Sequence, residues 1–171
     1  MTDASTPNAV PAPVLERHDD IGRLVAVTWH GAGAADQPGS ARWLVAVDGS
    51  ACSLRAVEMV AGLAALEKGA GVDVVHVQSW LSKEAAEIEL PRRGWAATAQ
   101  ARQLLDAASV PWRLHVVMGE GAPQIASVAD ALGSRGIVIG SRGLTATETL
   151  LLGSVAYRVV HLARLPVLIV R

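Results

Sequence analysis

The sequence predicts an α/β domain built on a parallel β-sheet with helices on both faces. Two observations carry this prediction. Short, nearly continuous apolar runs alternate along the chain with stretches of helical periodicity, which is typical of repeated βαβ units. The 171 residues are 51% hydrophobic and 18% charged, which supplies one well-filled core and excludes a wholly disordered chain.

The predicted strands are apolar on both faces, as buried parallel strands are when helices cover the sheet from either side. They are Leu44–Val47, Val72–Val77, Leu114–Met118, Ile137–Ile139 and Val167–Val170. Four helices are expected between them, because apolar residues recur there at positions i, i+3, i+4 and i+7. Their apolar stripes start at Val57, Ala101, Ile125 and Ala156.

The segment from Leu81 to Trp95 is expected to be an irregular crossover. It contains many helix-forming residues, but Pro91 and Gly94 interrupt it. Proline removes a backbone donor and clashes with the preceding turn, and glycine lowers helix stability. For these reasons no helix is assigned to this segment.

Residues 1–40 are predicted to be a mobile extension, and residues 41–171 the folded domain. Three prolines among the first thirteen residues block regular structure, and the composition there offers no buried face. The short run 23–28 is β-like, so one extra strand is the alternative for that part. We expect the domain from Trp43 onward to fold, dimerise and bind its ligand without the extension.

Charge and cysteine content exclude several functional classes. Fifteen Lys and Arg against sixteen Asp and Glu give a net charge of −1, which excludes the uniformly basic surface of a nucleic-acid coat or a binder of anionic membranes. The single cysteine, Cys52, cannot form an internal disulfide, and the five histidines lack metal-site spacing. Charged residues interrupt the longest apolar runs and no signal peptide opens the chain, so we expect a cytoplasmic protein without a membrane span.

A glycine-rich stretch follows the fourth predicted strand. Gly140 and Gly143 are followed, after nine further residues, by Gly153 and Ser154 at the expected start of the last helix. Glycines let backbone N–H groups approach an anion without a Cβ in the way, and a helix N-terminus favours negative charge. The pattern predicts a phosphate site; the alternative is that these glycines shape a turn and cap a helix.

Charge and position support an anionic ligand at the same end of the sheet. Residues 135–171 contain five arginines and one acidic residue, Glu148. Asp48 follows the first buried strand, and open parallel sheets bind ligands where their strands end. Its carboxylate could accept hydrogen bonds from a ribose or a base amino group; alternatively, it caps the following helix.

The stretch from Trp43 to Arg171 resembles the universal stress protein family. The resemblance rests on the run Leu44–Ser50, on the spacing Gly-x2-Gly-x9-Gly-Ser and on the closing strand, and it points to the ATP-binding type. It implies an open five-stranded parallel sheet in the order 3-2-1-4-5, Rossmann-like and similar to the adenine nucleotide alpha hydrolases. Strands 1 and 4 are then neighbours, which brings Asp48 against Gly140.

The resemblance also implies which residues bind ATP. The nucleoside would contact Ala46, Asp48 and Val77. The ribose and phosphates would contact Gly140, Arg142, Gly143, Gly153, Ser154 and Val155. Three departures from the family pattern stand out, and one of them is that the first 40 or so residues have no counterpart in the family. The acidic residue ahead of the fourth strand is absent from 134–136, and Glu148 would repel phosphate unless it faces solvent or helps hold the Mg²⁺ that accompanies ATP.

The expected function is a nucleotide-regulated stress-response or interaction module. No catalytic residue and no protein metal ligand is predicted, because the sequence offers no general base or lysine near the phosphates. A nucleotide-free scaffold of the same fold and a slow ATPase are the alternatives. A homodimer is expected, since the last strand would leave an apolar sheet edge exposed. The residues of that strand are Val167, Leu168, Ile169 and Val170.

Overall fold

The computed structural model describes residues 9–34, 42–67, 70–144 and 152–171, which form seven strands and five helices. The strands are β1 (Leu15–His18), β2 (Leu24–His30), β3 (Trp43–Ala46), β4 (Val72–Gln78), β5 (Trp112–Met118), β6 (Gly136–Gly140) and β7 (Val167–Val170). The helices are α1 (Ala51–Ala65), α2 (Lys83–Ala97), α3 (Ala99–Ala107), α4 (Gly121–Leu132) and α5 (Ser154–Leu162).

The strands form one mixed sheet in the order β1-β2-β5-β4-β3-β6-β7. The five neighbouring strands β5, β4, β3, β6 and β7 are parallel. Numbered along the predicted domain, these strands lie in the order 3-2-1-4-5, which confirms the prediction. Ala46 of β3 is in register with Val75 of β4 on one side and Ile139 of β6 on the other. The carboxyl ends of these three strands therefore meet at one end of the sheet.

Helices cover the parallel strands on both faces, as predicted. On one face, α1, α2 and α3 bury Val57, Leu90 and Leu105 in a single hydrophobic core. On the other face, α4 and α5 bury Ile125 and Val159 in a second core. Because side chains alternate along a strand, each central strand contributes residues to both cores.

The segment around Pro91 belongs to α2, so the expectation of an irregular crossover is wrong. The Ser82 hydroxyl caps this helix by accepting a backbone hydrogen bond at 3.3 Å. Gly94 is buried, and a Cβ at this position would lie 2.4 Å from Val116 of β5. The glycine therefore lets the helix approach the sheet closely, and the burial of Leu90 beside it compensates the local cost of proline and glycine.

Part of the N-terminal extension belongs to the sheet. The β-like run at residues 23–28 corresponds to β2, which is antiparallel to β5. Leu24, Val27 and Trp29 of β2 are at most 2% exposed and pack in the core beneath α1, α2 and α3. The expectation of a mobile extension therefore does not hold for residues 15–30. The rest of that expectation falls partly on residues 1–8 and 35–41, which lie outside the described residues.

Backbone hydrogen bonds hold β1, whose four side chains are all exposed. The Val14 N–H donates to the Thr28 carbonyl at 2.8 Å, just before β1 begins. The Trp29 indole N–H donates to the Pro11 carbonyl at 2.8 Å. A strand without a buried side chain leaves no apolar pattern in the sequence, which explains why β1 was not predicted.

A polar network crosses β2, β5 and β4. Asp73 is 1% exposed and accepts hydrogen bonds from the Arg113 guanidinium at 2.6 and 2.9 Å. His115 lies 3.3 Å from Asp73 through Nε2 and 3.3 Å from the Thr28 hydroxyl through Nδ1. Burial tends to raise the pKa of Asp73, but its bonds to His115 and Arg113 outweigh burial and lower that pKa. The network ties β2 to the centre of the sheet.

Candidate functional site

A cavity of about 530 Å³ opens at the carboxyl ends of β3, β4 and β6. Open parallel sheets bind ligands at this end, and the volume is in the range of small-molecule sites. The nine sequence-predicted binding residues all line it: Ala46, Asp48, Val77, Gly140, Arg142, Gly143, Gly153, Ser154 and Val155. The fold thus brings together residues that are more than 100 positions apart in the sequence.

Asp48 connects the glycine loop, residues 140–144, to the start of α1. Its Oδ1 accepts a hydrogen bond from the Ser50 N–H at 2.9 Å, and its Oδ2 accepts one from the Leu144 N–H at 3.1 Å. Burial tends to raise the pKa of Asp48, but hydrogen bonds from Ser50, Leu144 and Ser53 outweigh burial and lower that pKa. The carboxylate is therefore ionised at neutral pH.

Three glycines of the motif make close contacts within the protein. A Cβ on Gly140 would lie 2.7 Å from the Cys52 backbone, and one on Gly143 would lie 2.6 Å from Asp48 Oδ2. A Cβ on Gly153 would approach a neighbouring carbonyl oxygen to 3.3 Å. These glycines therefore shape the loop, as the alternative interpretation held, and all three also line the cavity.

The N-termini of three helices converge on the cavity. Ser53 lies in the first turn of α1, Gly121 begins α4 and Ser154 begins α5, and all three residues line the cavity. The first turns of these helices contain no acidic residue. First-turn N–H groups have no acceptor within the helix, and the helix dipole places partial positive charge there. The cavity therefore favours an anionic group.

Arginines complement these helix ends. Arg142 on the glycine loop lines the cavity. Glu120 directly precedes α4, and its carboxylate accepts a hydrogen bond from Arg158 of α5 at 2.8 Å. Hydrogen bonding and attraction to Arg158 lower the pKa of Glu120. The negative charge next to α4 is thus balanced by a cation of the neighbouring helix.

His76 lines the cavity, and the sequence analysis missed it. This residue of β4 is 9% exposed, and its Nδ1 lies 2.8 Å from the Val47 carbonyl oxygen. Because a carbonyl only accepts, Nδ1 carries the proton. Burial lowers the pKa of His76 and outweighs the opposite effects of Val47 and Asp48. A polar residue near the end of the apolar run 72–77 is the signal that could have found it.

The strands and α4 give the cavity an apolar wall. The apolar side chains that line it include Ala46, Val75, Val77, Ile125 and Ile139. Gln78 and Ser79, at the end of β4, add polar groups that the sequence analysis also missed. An apolar wall with a few polar groups, next to three helix N-termini, suits a ligand with a flat ring and a negative charge.

Glu148 lies outside the described residues, together with the rest of 145–151. Its predicted effect on phosphate or on a cation stays a prediction. In the described part of the chain, no group of three His, Cys, Asp or Glu side chains could hold a metal ion. None of the helices that the structure describes is long and apolar enough to cross a membrane.

The sequence of residues 41–171 matches the profile of the Universal stress protein family. The chain belongs to this family. The matched region contains every residue that lines the cavity. The matched region begins after β2, so β1 and β2 lie outside the part of the chain that matches the family.

Two relatives match this universal stress protein over most of their own length. Universal stress protein YxiE of Bacillus subtilis (strain 168) is 29% identical over an alignment of 146 residues, and the match covers 76% of this chain and 98% of the relative. A universal stress protein of Thermus aquaticus, named for the QAH/OAS sulfhydrylase 3′ region, is 37% identical over 134 residues, with coverages of 75% and 96%.

Two similar solved structures contain adenine nucleotides. A universal stress protein in complex with cAMP is 26% identical with a TM-score of 0.62, and the match covers 77% of this chain and 97% of that protein. The universal stress protein from Archaeoglobus fulgidus in complex with dAMP is 25% identical with a TM-score of 0.62, with coverages of 77% and 98%. Family members of this fold therefore bind adenine nucleotides.

Proposed function

We propose that this universal stress protein binds ATP in the cavity at the carboxyl ends of β3, β4 and β6. The observation that carries the proposal is the convergence of three helix N-termini on a cavity with an apolar wall. The triphosphate supplies the negative charge that helix N-termini attract, and the adenine ring supplies a flat apolar surface. The relatives that bind cAMP and dAMP support the adenine moiety of the ligand.

In this proposal the nucleoside lies at the ends of β3 and β4. Ala46 and Val77 contact the adenine ring, and Asp48 accepts a hydrogen bond from the ribose or the base. Asp48 performs this function in addition to holding the glycine loop through the Leu144 N–H. Because one carboxylate has about four acceptor positions, the two functions are compatible.

The phosphates lie between the glycine loop and the N-terminus of α5. Ser154 and Val155 are the first two residues of α5, where backbone N–H groups lack intrahelical acceptors. Arg142 adds a full positive charge, and three glycines complete the site: Gly140, Gly143 and Gly153. The Asp48 carboxylate, which lines the cavity, is an oxygen ligand of the type that Mg²⁺ prefers, so it fits the cation that normally accompanies ATP.

We propose binding rather than rapid hydrolysis. Within the described lining, Asp48 is the acidic side chain, and its low pKa makes it a weak base. His76 donates its Nδ1–H to the Val47 carbonyl, which leaves Nε2 as the nitrogen that could accept a proton. Burial lowers the pKa of His76, so Nε2 is a weak base. A nucleotide-regulated interaction module is the function that these features support.

We further propose that the protein forms a homodimer through β7. This strand ends the sheet, and its Leu168 and Ile169 are each 37% exposed. Tyr157 and Val160 of α5 are also exposed, at 55% and 43%. An apolar edge strand beside an apolar helix face invites pairing with a second copy of the same chain.

Calorimetric titration of the purified protein with ATP and adenosine tests the nucleotide site. We expect both to bind. Arg142→Ala should weaken ATP binding about tenfold and leave adenosine binding unchanged, because it removes a charge from the phosphate end only. Arg92→Ala is the matched control, since Arg92 pairs with Glu89 on α2 at 2.6 Å, apart from the cavity lining. Absence of ATP binding to the wild type would favour the nucleotide-free scaffold.

A second pair of variants tests the α5 N-terminus more cleanly than glycine substitutions. A side chain at Gly143 would displace Asp48, so loss of binding there would not report on phosphate. Ser154→Pro removes the backbone N–H donor at the start of α5. Proline is tolerated at the first position of a helix, and the preceding residue, Gly153, has the extended ψ of 155° that proline requires. Ser154→Ala removes only the hydroxyl. ATP affinity should fall more for Ser154→Pro than for Ser154→Ala.

A further inference from the structure

We propose that the hairpin formed by β1 and β2 is a structural part of the ligand site, with Arg23 as its positioning residue. The hairpin turn, residues 19–22, supports the β4–α2 loop, residues 79–82, next to the cavity. This inference rests on the nucleotide site proposed above. It goes beyond that site, because β1 and β2 precede the region that matches the family.

The direction of β2 places the hairpin turn at the ligand end of the sheet. β2 is antiparallel to β5, with Ala26 opposite Val117 and the end of β2 opposite the start of β5. β4 runs parallel to β5, and its last residue, Gln78, is in register with Met118. The start of β2 is therefore level with the carboxyl ends of β4 and β5. The cavity opens at this same end of the sheet.

The hairpin turn is held by its own hydrogen bonds. Asp19 Oδ1 accepts from the N–H groups of Ile21 and Arg23 at 3.2 and 2.9 Å. The Gly22 N–H donates to the Asp19 carbonyl at 2.9 Å, and Gly22 has a φ of +71°, which favours glycine. The turn thus presents Arg23 in a defined position.

Arg23 contacts the β4–α2 loop in two ways. Its Nη1 donates to the Leu81 carbonyl at 3.4 Å, and its guanidinium carbon lies 4.7 Å from the centroid of the Trp80 ring. Asp19 holds the other side of the guanidinium, with Nε to Oδ2 at 3.0 Å. In addition, Lys83 Nζ donates to the Ile21 carbonyl at 2.7 Å. The hairpin turn is therefore joined to the β4–α2 loop through Arg23 and to the first residue of α2 through Lys83.

The supported loop is continuous with the cavity. Gln78 and Ser79 line the cavity, and Trp80 and Leu81 follow them directly. Trp80 is 58% exposed, so burial of its own side chain does little to fix the loop. Arg23 therefore restrains the loop from outside and does not touch the ligand. Because this loop follows β4, the restraint acts on the nucleoside end of the site and not on the phosphate end.

Calorimetric titration of the full chain with ATP, adenosine and inorganic tripolyphosphate tests this inference. Arg23→Ala should weaken adenosine and ATP binding by the same factor, about tenfold, because one hydrogen bond and one cation–π contact are lost. Tripolyphosphate affinity should stay unchanged. Arg23→Lys, which keeps a cation above Trp80, should restore most of the adenosine affinity. Arg92→Ala again serves as the matched control, since it breaks an exposed ion pair elsewhere on α2.

The outcomes separate this inference from the proposed function. If the wild type and Arg23→Ala bind adenosine equally well, the proposed role of the hairpin is wrong and the nucleotide site still stands. An equal loss for tripolyphosphate also overturns it, since that indicates general damage. Wild type that binds no adenine nucleotide overturns the proposed function itself. If Arg23→Ala does not fold, Arg23→Met, which keeps the aliphatic part of the side chain but has neither the donor for Leu81 nor the charge above Trp80, takes its place, and unchanged adenosine affinity then overturns the inference.

Discussion

The two edges of the sheet differ in what completes them. At one edge the chain itself adds β1 and β2 next to β5, and Leu24, Val27 and Trp29 of β2 are almost fully buried. At the other edge β7 is the last strand, and Leu168 and Ile169 remain 37% exposed. Both edges contain apolar strands, but only the first has its apolar side chains covered within the chain.

This difference shows that similar strands can serve stability at one edge and association at the other. At the β2 edge, apolar burial and the Asp73 network link the added strands to the core, so a change there should alter the free energy of unfolding. At the β7 edge, the exposed side chains contact solvent in a single chain. A change there should alter the affinity between two copies, with little effect on folding.

Removal of residues 1–40 should produce the largest effect. It uncovers β5 and deletes four large buried apolar side chains, Leu24, Val25, Val27 and Trp29. Each is worth about 1.5–3 kcal/mol, so the loss of at least about 6 kcal/mol approaches the whole stability of a typical domain. In contrast to the expectation from the sequence, which has the domain from Trp43 onward fold alone, we now expect an unfolded or aggregated product, because β2 pairs with β5 and packs in the core. Thermal melting and light scattering measure this. A soluble protein whose melting temperature falls by less than about 8 °C would instead support an independently folding domain.

Asp73→Asn should be the next largest change at the same edge. It leaves the Arg113 guanidinium, which is 17% exposed, without its carboxylate partner, and should cost about 3 kcal/mol in the free energy of unfolding. Asp130→Asn, at an exposed position of α4, is the control and should change stability by less than about 0.5 kcal/mol. Chemical denaturation at pH 7 measures both. Equal, small effects would mean that the polar network does not secure β2.

Stability should also decrease between pH 7 and pH 5 because of His76, which lies outside both edges. Its pKa is lowered in the folded state, so the unfolded chain binds the proton more readily, and stability is lost as pH falls below the unfolded pKa of about 6.5. His76→Gln should flatten this part of the stability profile, whereas His161→Gln, at an exposed position, should not. If stability falls with pH equally steeply in both variants, a group other than His76 causes the decrease.

Ile169→Lys should have the smallest effect on folding and a clear effect on association. We expect a change in unfolding free energy within about 0.5 kcal/mol and a shift from dimer to monomer in sedimentation. Leu15→Lys, at the exposed β1 edge, is the matched control and should leave the oligomeric state unchanged. A wild-type protein that is monomeric at all concentrations would contradict the proposed dimer.

The parallel part of the fold was predictable because its signal is strong. The five parallel strands are rich in apolar residues on both faces, and four helices carry regular apolar stripes. The signal fails where structure depends on partners distant in sequence. Helix α2 contains Pro91 and Gly94, and the close approach of Gly94 to Val116 that explains the glycine is visible only in three dimensions. β1 buries no side chain, so hydrophobicity could not reveal it.

The candidate site was predictable where a motif marked it. Each predicted residue lines the cavity. The glycine spacing and the strand-ending Asp48 could be recognised in the sequence, and the resemblance to the family supplied Ala46 and Val77. His76 and Gln78 belong to no motif, and the signal for His76 is only its polar side chain near the end of an otherwise apolar strand. The internal contacts of Gly143 and Asp48 could not be inferred either, because spacing does not distinguish room for a ligand from room for a neighbouring side chain.

The pairing of β2 with β5 has a consequence for the folding of the nascent chain. Thr28 and its partner His115 are 87 residues apart, so β2 is synthesised long before the strand that completes it. At about 5–20 residues per second, the partner follows roughly 4–17 s later. During this interval the apolar strand is exposed, and such long-range pairing is slow to form. The order of synthesis therefore makes β2 a segment that depends on protection during translation.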